Sequence, residues 1–309
     1  MTSKEQIRLQ LQKEGFAKIG FLSRQDAQFS DWIGPWLEQG FHAEMSFMED
    51  NAAIRIDPCS IEPFGKSIIS CAYPYFTRPS GGRWRRNAIS SYAWGADYHK
   101  VLKQKIERVI LCLQEEIPGF QGRGFVDTAP IPEKIVAKQS GLGWIGKNGL
   151  LINQQLGSYF FLTEIVCNLD LQSDSPMDNH CDDCDKCVRA CPSGAINGDG
   201  YVDSNRCISY LTIEKRGEFK PEESTSIGYQ VFGCDICQQV CHWNQDLEIE
   251  ESSPFECYPR WRELKPEDYA NMDQEEFDRI KIASPVKRAK LDGLRRNART
   301  VLANRVQEK

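Results

Sequence analysis

A run of four cysteines at residues 181–192, with the pattern C-x-x-C-x-x-C-x-x-x-C-P, is the feature that most constrains the fold of this sequence. In bacterial ferredoxins three thiolates of such a run bind one [4Fe–4S] cluster, and the fourth binds a second cluster. A second set of cysteines is therefore required, and Cys207 with the run C-x-x-C-x-x-x-C at 234–241 supplies it. By this crossover rule we assign one cluster to Cys181, Cys184, Cys187 and Cys241, and the other to Cys191, Cys207, Cys234 and Cys237.

Zinc is the alternative occupant, because structural zinc sites also use four cysteines arranged in C-x-x-C pairs. Zinc ribbons usually present two separated pairs, whereas this run places four cysteines close together and ends in Pro192. The spacing therefore favours two [4Fe–4S] clusters. The remaining cysteines have no such spacing and are predicted to be buried or incidental thiols: Cys59, Cys71, Cys112, Cys167 and Cys257.

The composition is that of an ordinary soluble globular protein. Of the 309 residues, 40% are hydrophobic and 27% are charged, and the length suits two domains with a short additional segment. We find neither a run of about 18 apolar residues that would span a bilayer nor a secretory signal at the N-terminus. We therefore expect a cytoplasmic protein with no membrane partner, whose thirteen cysteines stay reduced and serve metal binding or catalysis.

The spacing of apolar residues predicts a mixed fold, α+β or α/β. A helix around Ile7 and Leu11 precedes a strand at 17–21, and residues 98–114 have the periodicity of an amphipathic helix. Further strands are predicted at 67–73, 150–152 and 160–166, and further helices at 133–139, 274–280 and 285–306. We predict a catalytic domain at 1–170, a ferredoxin-like domain with two [4Fe–4S] clusters at 171–245, and a helical C-terminal segment at 246–309.

The segment from Gly141 to Lys147 matches two nucleotide-binding motifs, G-x-G-x-x-G and G-x-x-x-x-G-K. The dinucleotide motif must follow a strand, but residues 133–139 have the composition of a helix. A P-loop requires Ser or Thr after its lysine, and this chain has Asn148 there. We predict instead a tight turn before the strand at 150–152, in which glycines allow close approach to neighbouring backbone or to a cofactor.

Two clusters either relay electrons between proteins or serve a reaction site on the same chain. A relay needs only the residues around its cysteines, so residues 1–170 are expected to bind a cofactor or a substrate. Within them Asp127 follows an apolar pair, and a desolvated pocket would raise its pKa and let it act as a general acid. Capping of the following helix is the alternative role. The histidines predicted to be structural are His99, His180 and His242.

The net charge of −6 argues against a uniformly basic nucleic-acid binder, but two segments are locally basic. Residues 83–86, with the sequence Arg-Trp-Arg-Arg, combine three guanidinium groups with an indole. The cations of the segment 287–305 are Lys287, Arg288, Lys290, Arg295, Arg296, Arg299 and Arg305. Either segment is able to face phosphate groups. The alternative interpretations are a solvated loop and a solvated helix face.

Several motifs outside the cysteines resemble those of the epoxyqueuosine reductase family, cobalamin-dependent enzymes that complete the queuosine base of tRNA. They extend over most of the chain: Glu44-Met45, Arg55 to Pro58, Tyr92 to His99, Val126 to Pro130, Ala137 to Lys147, Gly157-Ser158, Arg206 to Thr212 and Tyr229 to Gln238. Longer members of the family carry a HEAT-like helical repeat after the segment 295–298, and the present sequence departs from them there.

The resemblance implies that the chain reduces epoxyqueuosine to queuosine at the wobble position of tRNAs with a G-U-N anticodon, using cobalamin and both clusters. It also implies tRNA and a low-potential electron donor, such as flavodoxin or ferredoxin, as partners of a monomer. The implied cobalamin pocket comprises Arg55, Ser90, Asp127, Lys147, Leu151, Leu162 and Ser209, with Asp127 as general acid. The alternatives are a corrinoid reductase of another small substrate, similar to reductive dehalogenases, and a ferredoxin-type electron carrier.

Overall fold

A computed structural model describes residues 2–27, 29–77, 88–247, 253–282 and 284–307. Its strands are β1 (Lys18–Ser23), β2 (Ser67–Pro74), β3 (Gly122–Phe125), β4 (Trp144–Ile145), β5 (Leu151–Ile152) and β6 (Phe160–Cys167). Four of them form an antiparallel sheet in the order β1-β2-β6-β3, and β4 pairs with β5 in a separate hairpin. The N-terminal half of the chain is built on this sheet.

The sheet lies between two layers of helices. Strands β2 and β6 are rich in β-branched and aromatic residues, which favour extended backbone, and both of their faces are buried. One face packs against α1 (Ser3–Lys13) and α4 (Tyr98–Glu116), and the other packs against α5 (Glu133–Gln139). Between β1 and β2 the chain forms α2 (Ser30–Glu38) and α3 (Ala52–Ile56).

Helix α4 brings its first residues to the site described below. Asp97 precedes the helix, and its carboxylate accepts a hydrogen bond from the N–H of His99, which is the usual way to satisfy a free helix donor. Leu102, Ile106 and Leu113 follow at helical spacing and are buried against the sheet. The buried face fixes the rotation of the helix, so that Tyr98 and His99 meet the loop after β3.

The glycine-rich run adopts the predicted order of a helix, a turn and a strand. It follows α5 directly and leads into the β4–β5 hairpin. A Cβ atom at Gly143 would lie 2.1 Å from the carbonyl oxygen of Ile152, so this position accepts no larger residue without moving the hairpin. Glycine is therefore needed here for close backbone packing.

The cysteine-rich region consists of short helices joined by turns. They are α6 (Lys186–Ala190), α7 (Ile208–Ile213), α8 (Pro221–Ile227) and α9 (Ile236–Gln239). Helices α6 and α9 contact each other, and each carries a cysteine of one of the two runs, Cys187 and Cys237. Short helices let the chain turn often enough for thiols from distant positions to converge.

The C-terminal segment packs as a helical unit with its own core. It comprises α10 (Pro259–Glu263), α11 (Pro266–Asn271), α12 (Gln274–Lys281), a 3-10 turn (Pro285–Ala289) and α13 (Lys290–Gln307). Their apolar side chains bury Trp94 from the N-terminal half together with Val231 and Phe232, which precede a cysteine run. These contacts join the segment to both preceding regions of the chain.

The predicted mixed fold is confirmed, and its antiparallel sheet is that of an α+β protein. The strands and helices predicted from long apolar patterns are present, with shifts of one or two residues at their ends. The helix predicted over 285–306 is divided at Lys290, where a φ of 61° separates the 3-10 turn from α13. Within the described residues, we find no helix with the length and apolar character needed to cross a membrane.

Candidate functional site

The seven cysteines of the two runs and Cys207 form two groups of interacting thiols. The first group contains Cys181, Cys184, Cys187 and Cys241, and the second contains Cys191, Cys207, Cys234 and Cys237. The crossover rule assigns the same two sets from the sequence, and their role as cluster ligands stays a prediction. Four cysteines are the ligand number of a cubane cluster. Of the other cysteines, four are buried and Cys112 is exposed.

The two thiol groups differ in their distance from the surface. All four cysteines of the first group line an open cavity, together with Lys147, Asn148 and Trp243. In the second group, burial raises the pKa of the Cys234 thiol to about 12 and also raises that of Cys237 well above its usual value. All eight thiols are partly exposed, but those of Cys207, Cys234 and Cys237 are surrounded by more protein, so we call the second group the deeper one.

Lys134 links the second thiol group to the loop that carries Asp127. Its Nζ donates a hydrogen bond to the carbonyl oxygen of Gly149 at 2.7 Å. Its ammonium has as electrostatic neighbours the thiols of Cys207 and Cys237 and the carboxylate of Asp127. The deeper thiol group and the candidate acid therefore share one cation as an electrostatic neighbour.

Asp127 occupies a strained turn. Its φ of 56° lies in the left-handed region, which aspartate tolerates better than most residues. The N–H of Thr128 donates to the carbonyl oxygen of Val126 at 2.6 Å, so Asp127 is the central residue of a γ-turn, and γ-turns with positive φ are rare. The N–H of Asp127 donates to Oε1 of Glu133 at 2.6 Å. Strain of this kind is typical of functional sites.

His99 lies between two carboxylates. Its Nδ1 is 2.8 Å from Oδ1 of Asp97, and its Nε2 is 3.1 Å from Oδ2 of Asp127. Burial lowers the pKa of His99, but the hydrogen bonds to Asp127 and Asp97 outweigh burial and raise the pKa from 6.5 to about 9. Tyr98 donates its hydroxyl to the same Oδ2 of Asp127 at 2.8 Å and stacks against His99. At neutral pH the imidazole is therefore protonated.

The expected rise in the pKa of Asp127 is wrong for this arrangement. Partial burial does raise the pKa, but hydrogen bonds from His99 and Tyr98 lower it more, so the pKa lies below its ordinary value. The side chain is 56% exposed, while its neighbours Phe125 and Val126 pack into the two cores of the sheet. Asp127 is thus a carboxylate beside an imidazolium, and the proton is held by His99.

The other residues predicted to bind cobalamin lie in several parts of the fold. Arg55 on α3 is buried and donates to the carbonyl oxygen of Phe47. The aromatic ring of Phe47 contacts the guanidinium of Arg288. Arg288 in turn is an electrostatic neighbour of Asp127. The hydroxyl of Ser90 donates to the buried carboxylate of Asp235, between Cys234 and Cys237.

The predicted leucines lie in the core of the sheet, Ser209 lies near Cys207, and Lys147 lies beside the first thiol group. Leu151 and Leu162 pack in the core between the sheet and α5, and Ser209 is on α7, two residues after Cys207. Lys147 donates to the carbonyl oxygen of Asp182 at 2.7 Å and lines the cavity of the first thiol group. Among the described contacts, those of Lys147 are with the cluster-binding segment.

The basic segment 287–305 is largely committed to contacts within the chain. Internal acceptors hold Lys287, Arg288, Arg295 and Arg296. The guanidinium of Arg296, for example, donates to three main-chain carbonyls between Leu211 and Gly217 and stacks on Phe219. The expectation that part of this segment faces phosphate stays a prediction, and it suits the exposed Lys290 and Arg299 better than Arg296. Residues 83–86 lie outside the described residues.

Sequence analysis missed the role of His99, which it treated as structural. The contact with Asp127 joins residues 28 positions apart and depends on how α4 packs on the sheet. One signal was present: Asp97 is a helix-capping residue two positions before His99, an arrangement that lets one carboxylate both cap the helix and orient the imidazole. His180 and His242 contact Trp144 and Trp243 as ring neighbours, as structural histidines do.

Two family models match the chain. Residues 180–244 match a model described as a 4Fe-4S double cluster binding domain, which supports iron–sulfur clusters rather than zinc in the two thiol groups. Residues 55–128 match a model described as "Epoxyqueuosine reductase QueG, DUF1730", a segment that includes Arg55, His99 and Asp127. Together the two matches cover the candidate acid and all eight cysteines of the two thiol groups.

Curated proteins and solved structures agree with these models. The chain is 37% identical over 295 residues to an epoxyqueuosine reductase of Cellulophaga algicola, covering 95% of this chain and 94% of that protein. It is 40% identical over 275 residues to one from Synechocystis sp., with coverages of 86% and 93%. The epoxyqueuosine reductase of Streptococcus thermophilus superposes with a TM-score of 0.86 at 30% identity, covering 98% of this chain and 82% of that one.

A second solved epoxyqueuosine reductase, bound to an epoxyqueuosine-modified stem loop of tyrosine tRNA, superposes with a TM-score of 0.87 at 27% identity. It covers 97% of this chain, and this chain covers 81% of it. The epoxyqueuosine reductase of Bacillus subtilis, solved with the loop of a catalytic aspartate swung out of the active site, gives a TM-score of 0.88 at 27% identity, with coverages of 97% and 81%. Identity above 30% over nearly the whole length places this chain in the epoxyqueuosine reductase family.

Proposed function

We propose that this chain reduces epoxyqueuosine to queuosine at the wobble position of tRNA. The observation that carries the proposal is the site around Asp127, where a carboxylate, an imidazolium and a phenol meet beside the deeper thiol group. A reduction that removes oxygen needs both electrons and protons at one place. Family membership identifies the substrate as epoxyqueuosine, and a relative is known in complex with an epoxyqueuosine-modified tRNA stem loop.

The eight cysteines are proposed to hold two [4Fe–4S] clusters in the two sets given above. Clusters pass single electrons, and their order follows from burial. The first group opens to solvent and is proposed to receive electrons from a low-potential donor such as flavodoxin or ferredoxin. The second group, next to Lys134, is proposed to deliver them to the reaction site. Lys134 places a positive charge where the reduced second cluster gains negative charge.

Cobalamin is the proposed third cofactor, and the residues present fit a corrinoid, which has apolar ring faces and many amide groups. Leu151 and Leu162 offer apolar contact, Ser209 offers a hydroxyl, and Nε of Arg55 is buried without a hydrogen-bond partner among the described residues. A buried donor of this kind requires an acceptor. When bound and reduced, cobalamin supplies the strongly nucleophilic or one-electron chemistry that opens an epoxide.

The protein's own contribution is the supply of protons. Conversion of an epoxide to an alkene and water consumes two electrons and two protons, so the departing oxygen must be protonated. Asp127 is proposed as the residue that delivers a proton to this oxygen. Its carboxylate is recharged through the 3.1 Å hydrogen bond with His99, which holds a proton at neutral pH, while Tyr98 fixes the same oxygen in place.

Transfer RNA is the proposed macromolecular partner, contacted by residues 83–86 and by exposed cations of the segment 287–305. We further propose that the protein acts as a monomer in the cytoplasm. The alternatives from the sequence, a corrinoid reductase of another small substrate and a simple electron carrier, are not favoured, because the named relatives that match most of the chain are epoxyqueuosine reductases.

Anaerobic turnover tests the proposal. Cluster-loaded protein with added cobalamin and a chemical reductant is expected to convert epoxyqueuosine in a purified tRNA to queuosine, as measured by mass spectrometry of the digested nucleosides. Omission of cobalamin is the control and is expected to abolish conversion. Conversion without cobalamin would contradict the assignment of the cofactor, and no conversion under any condition would contradict the assigned substrate.

A further inference from the structure

A pair of carboxyl groups lies beneath the Asp127 turn. Glu164 on β6 is fully buried and stands opposite Phe125 on β3, two residues before Asp127. Glu133, the first residue of α5, is half-buried, and its Oε1 accepts the hydrogen bond from the N–H of Asp127. The side chains of Glu133 and Glu164 are neighbours, close enough for one hydrogen bond to join their carboxyl groups. The pair therefore connects the centre of the sheet to the candidate acid.

Two ionised carboxylates cannot form such a bond, because each only accepts. Oε1 of Glu164 receives the hydroxyl of Ser70 at 3.4 Å, whereas Oε2 is buried and has no donor among the described residues. One proton held between the two groups supplies the missing donor and removes one of two adjacent charges. Burial raises the pKa of both carboxyls, and the charge of Glu133 raises that of Glu164 further.

The turn above the pair needs support from its surroundings. A residue with positive φ at the centre of a γ-turn keeps that conformation only where neighbouring groups hold it. The side chain of Glu133 holds the main-chain N–H of Asp127, and Glu164 in turn holds Glu133. We propose that Glu133 and Glu164 share one proton and act as a positioning pair, which fixes the Asp127 turn so that its carboxylate faces His99 and Tyr98.

This inference rests on the proposed role of Asp127 as the proton donor, and it adds two residues that act through it. The titratable groups facing the pair are Asp127, His99, Tyr98, Lys134 and Cys71. At alkaline pH the shared proton is lost, and two buried negative charges repel each other. Glu133 then loses its partner, and the turn is released.

Glu164→Gln is the informative variant, because its amide donates a hydrogen bond to Glu133 at every pH and never ionises. Hydrogen–deuterium exchange of the peptide that spans residues 120–130 reports on the turn in cluster-loaded protein without substrate. In the wild type we expect protection, corrected for intrinsic base catalysis, to fall about tenfold as the pH becomes alkaline. In Glu164→Gln we expect protection to remain.

Glu62→Gln is the matched control, since Glu62 is also a buried carboxyl but pairs with Arg123. Because Arg123 lies within the reporting peptide, this control is compared by its pH dependence alone, which should match that of the wild type. Glu133→Met, which removes the acceptor, should lose protection already at neutral pH. An equal alkaline fall in protection in Glu164→Gln and the wild type would overturn the shared proton. Full protection in Glu133→Met would overturn the positioning role.

Infrared spectroscopy gives a second readout if Glu133→Met fails to fold. A protonated buried carboxyl has a C=O band that shifts in D₂O, and this band is expected at equal intensity in the wild type and in Glu62→Gln but weaker in Glu164→Gln, which has lost one carboxyl of the pair. A band of undiminished intensity in Glu164→Gln would contradict the proposal. Neither measurement involves tRNA or cobalamin, so a failure of the proposed function leaves both results unchanged, and the two failures are distinguishable.

Discussion

The acidity of the candidate site is set by two neighbours of Asp127 rather than by an apolar pocket. His99 and Tyr98 both donate to one carboxylate oxygen, and Asp97 orients the imidazole from its other side. Because its pKa is low, Asp127 is ionised at neutral pH and holds no proton of its own. The proton that it is proposed to pass on therefore comes from His99, which keeps one at that pH.

Asp127→Asn is expected to lose on the order of a hundredfold in turnover rate, the usual scale for loss of a general acid. Asparagine tolerates positive φ, so the turn keeps its conformation. Iron content, cobalamin binding and tRNA affinity should therefore stay near those of the wild type. Single-turnover rates of loaded enzyme measure the effect. If the variant keeps most of its rate, or loses it only because cobalamin no longer binds, then Asp127 is a pocket residue and not the proton donor.

The pH dependence of the rate should reflect His99. Its pKa rises on folding from an ordinary 6.5 to about 9, so the protonated form stabilises the fold fully below pH 6.5, and this contribution disappears as the pH rises through about 9. We expect the rate to fall over the same range. Asp97→Asn removes one of the carboxylates that raise this pKa, so the fall should move to lower pH. An unchanged midpoint in the pH–rate profile would show that Asp97 does not set it.

At the level of elements, the sequence predicts what depends on local pattern. The apolar spacing of α4 and the β-branched run of β6 are long enough to identify both, and the eight cysteines are identified because cluster geometry dictates their spacing. Helices such as α6 and α9 have only four or five residues, too few for a periodic signal. The contacts of His99 and Glu164 depend on sheet pairing between distant segments, which local pattern does not contain.

Gly143→Ala tests the role of the glycine-rich run as a packed turn. The added Cβ would meet the Ile152 carbonyl oxygen at 2.1 Å and must separate β4 from β5, so we expect a loss of about 1–3 kcal/mol or more in stability, as in overpacked cores. Gly34 on α2 is the control, because nothing lies within 4 Å of its added Cβ. Gly34→Ala should be neutral or stabilising by up to about 1 kcal/mol. Thermal unfolding of both variants measures the difference.

For the whole molecule, binding of tRNA must overcome a net charge of −6, so it requires a local basic surface. Charge reversal at Arg85 and Arg86 is expected to weaken binding of all tRNAs alike and to reduce the salt dependence of the affinity, because phosphate contacts release counterions and carry no sequence information. Lys103→Glu on α4, with a side chain 69% exposed, is the control. Equal salt slopes in the double variant and the wild type would remove residues 85 and 86 from the interface.

We expect electron flow through the molecule to depend on both thiol groups and the two groups to be separable by mutation. The wild type should carry about eight iron and eight sulfide per chain. Cys207 belongs to the deeper group, beside Lys134, so Cys207→Ala should lose that cluster selectively and retain about four iron from the outer one. The outer cluster should still accept electrons from a reductant, yet turnover should be abolished because no electrons reach the site of Asp127.

Cys112→Ala is the control, because Cys112 is an exposed thiol on α4, and this variant should keep all of its iron and activity. Iron analysis with electron paramagnetic resonance of the reduced protein decides the outcome. Loss of both clusters in Cys207→Ala would show that the two thiol groups fold as one unit, and full activity would show that the deeper cluster is not on the electron path.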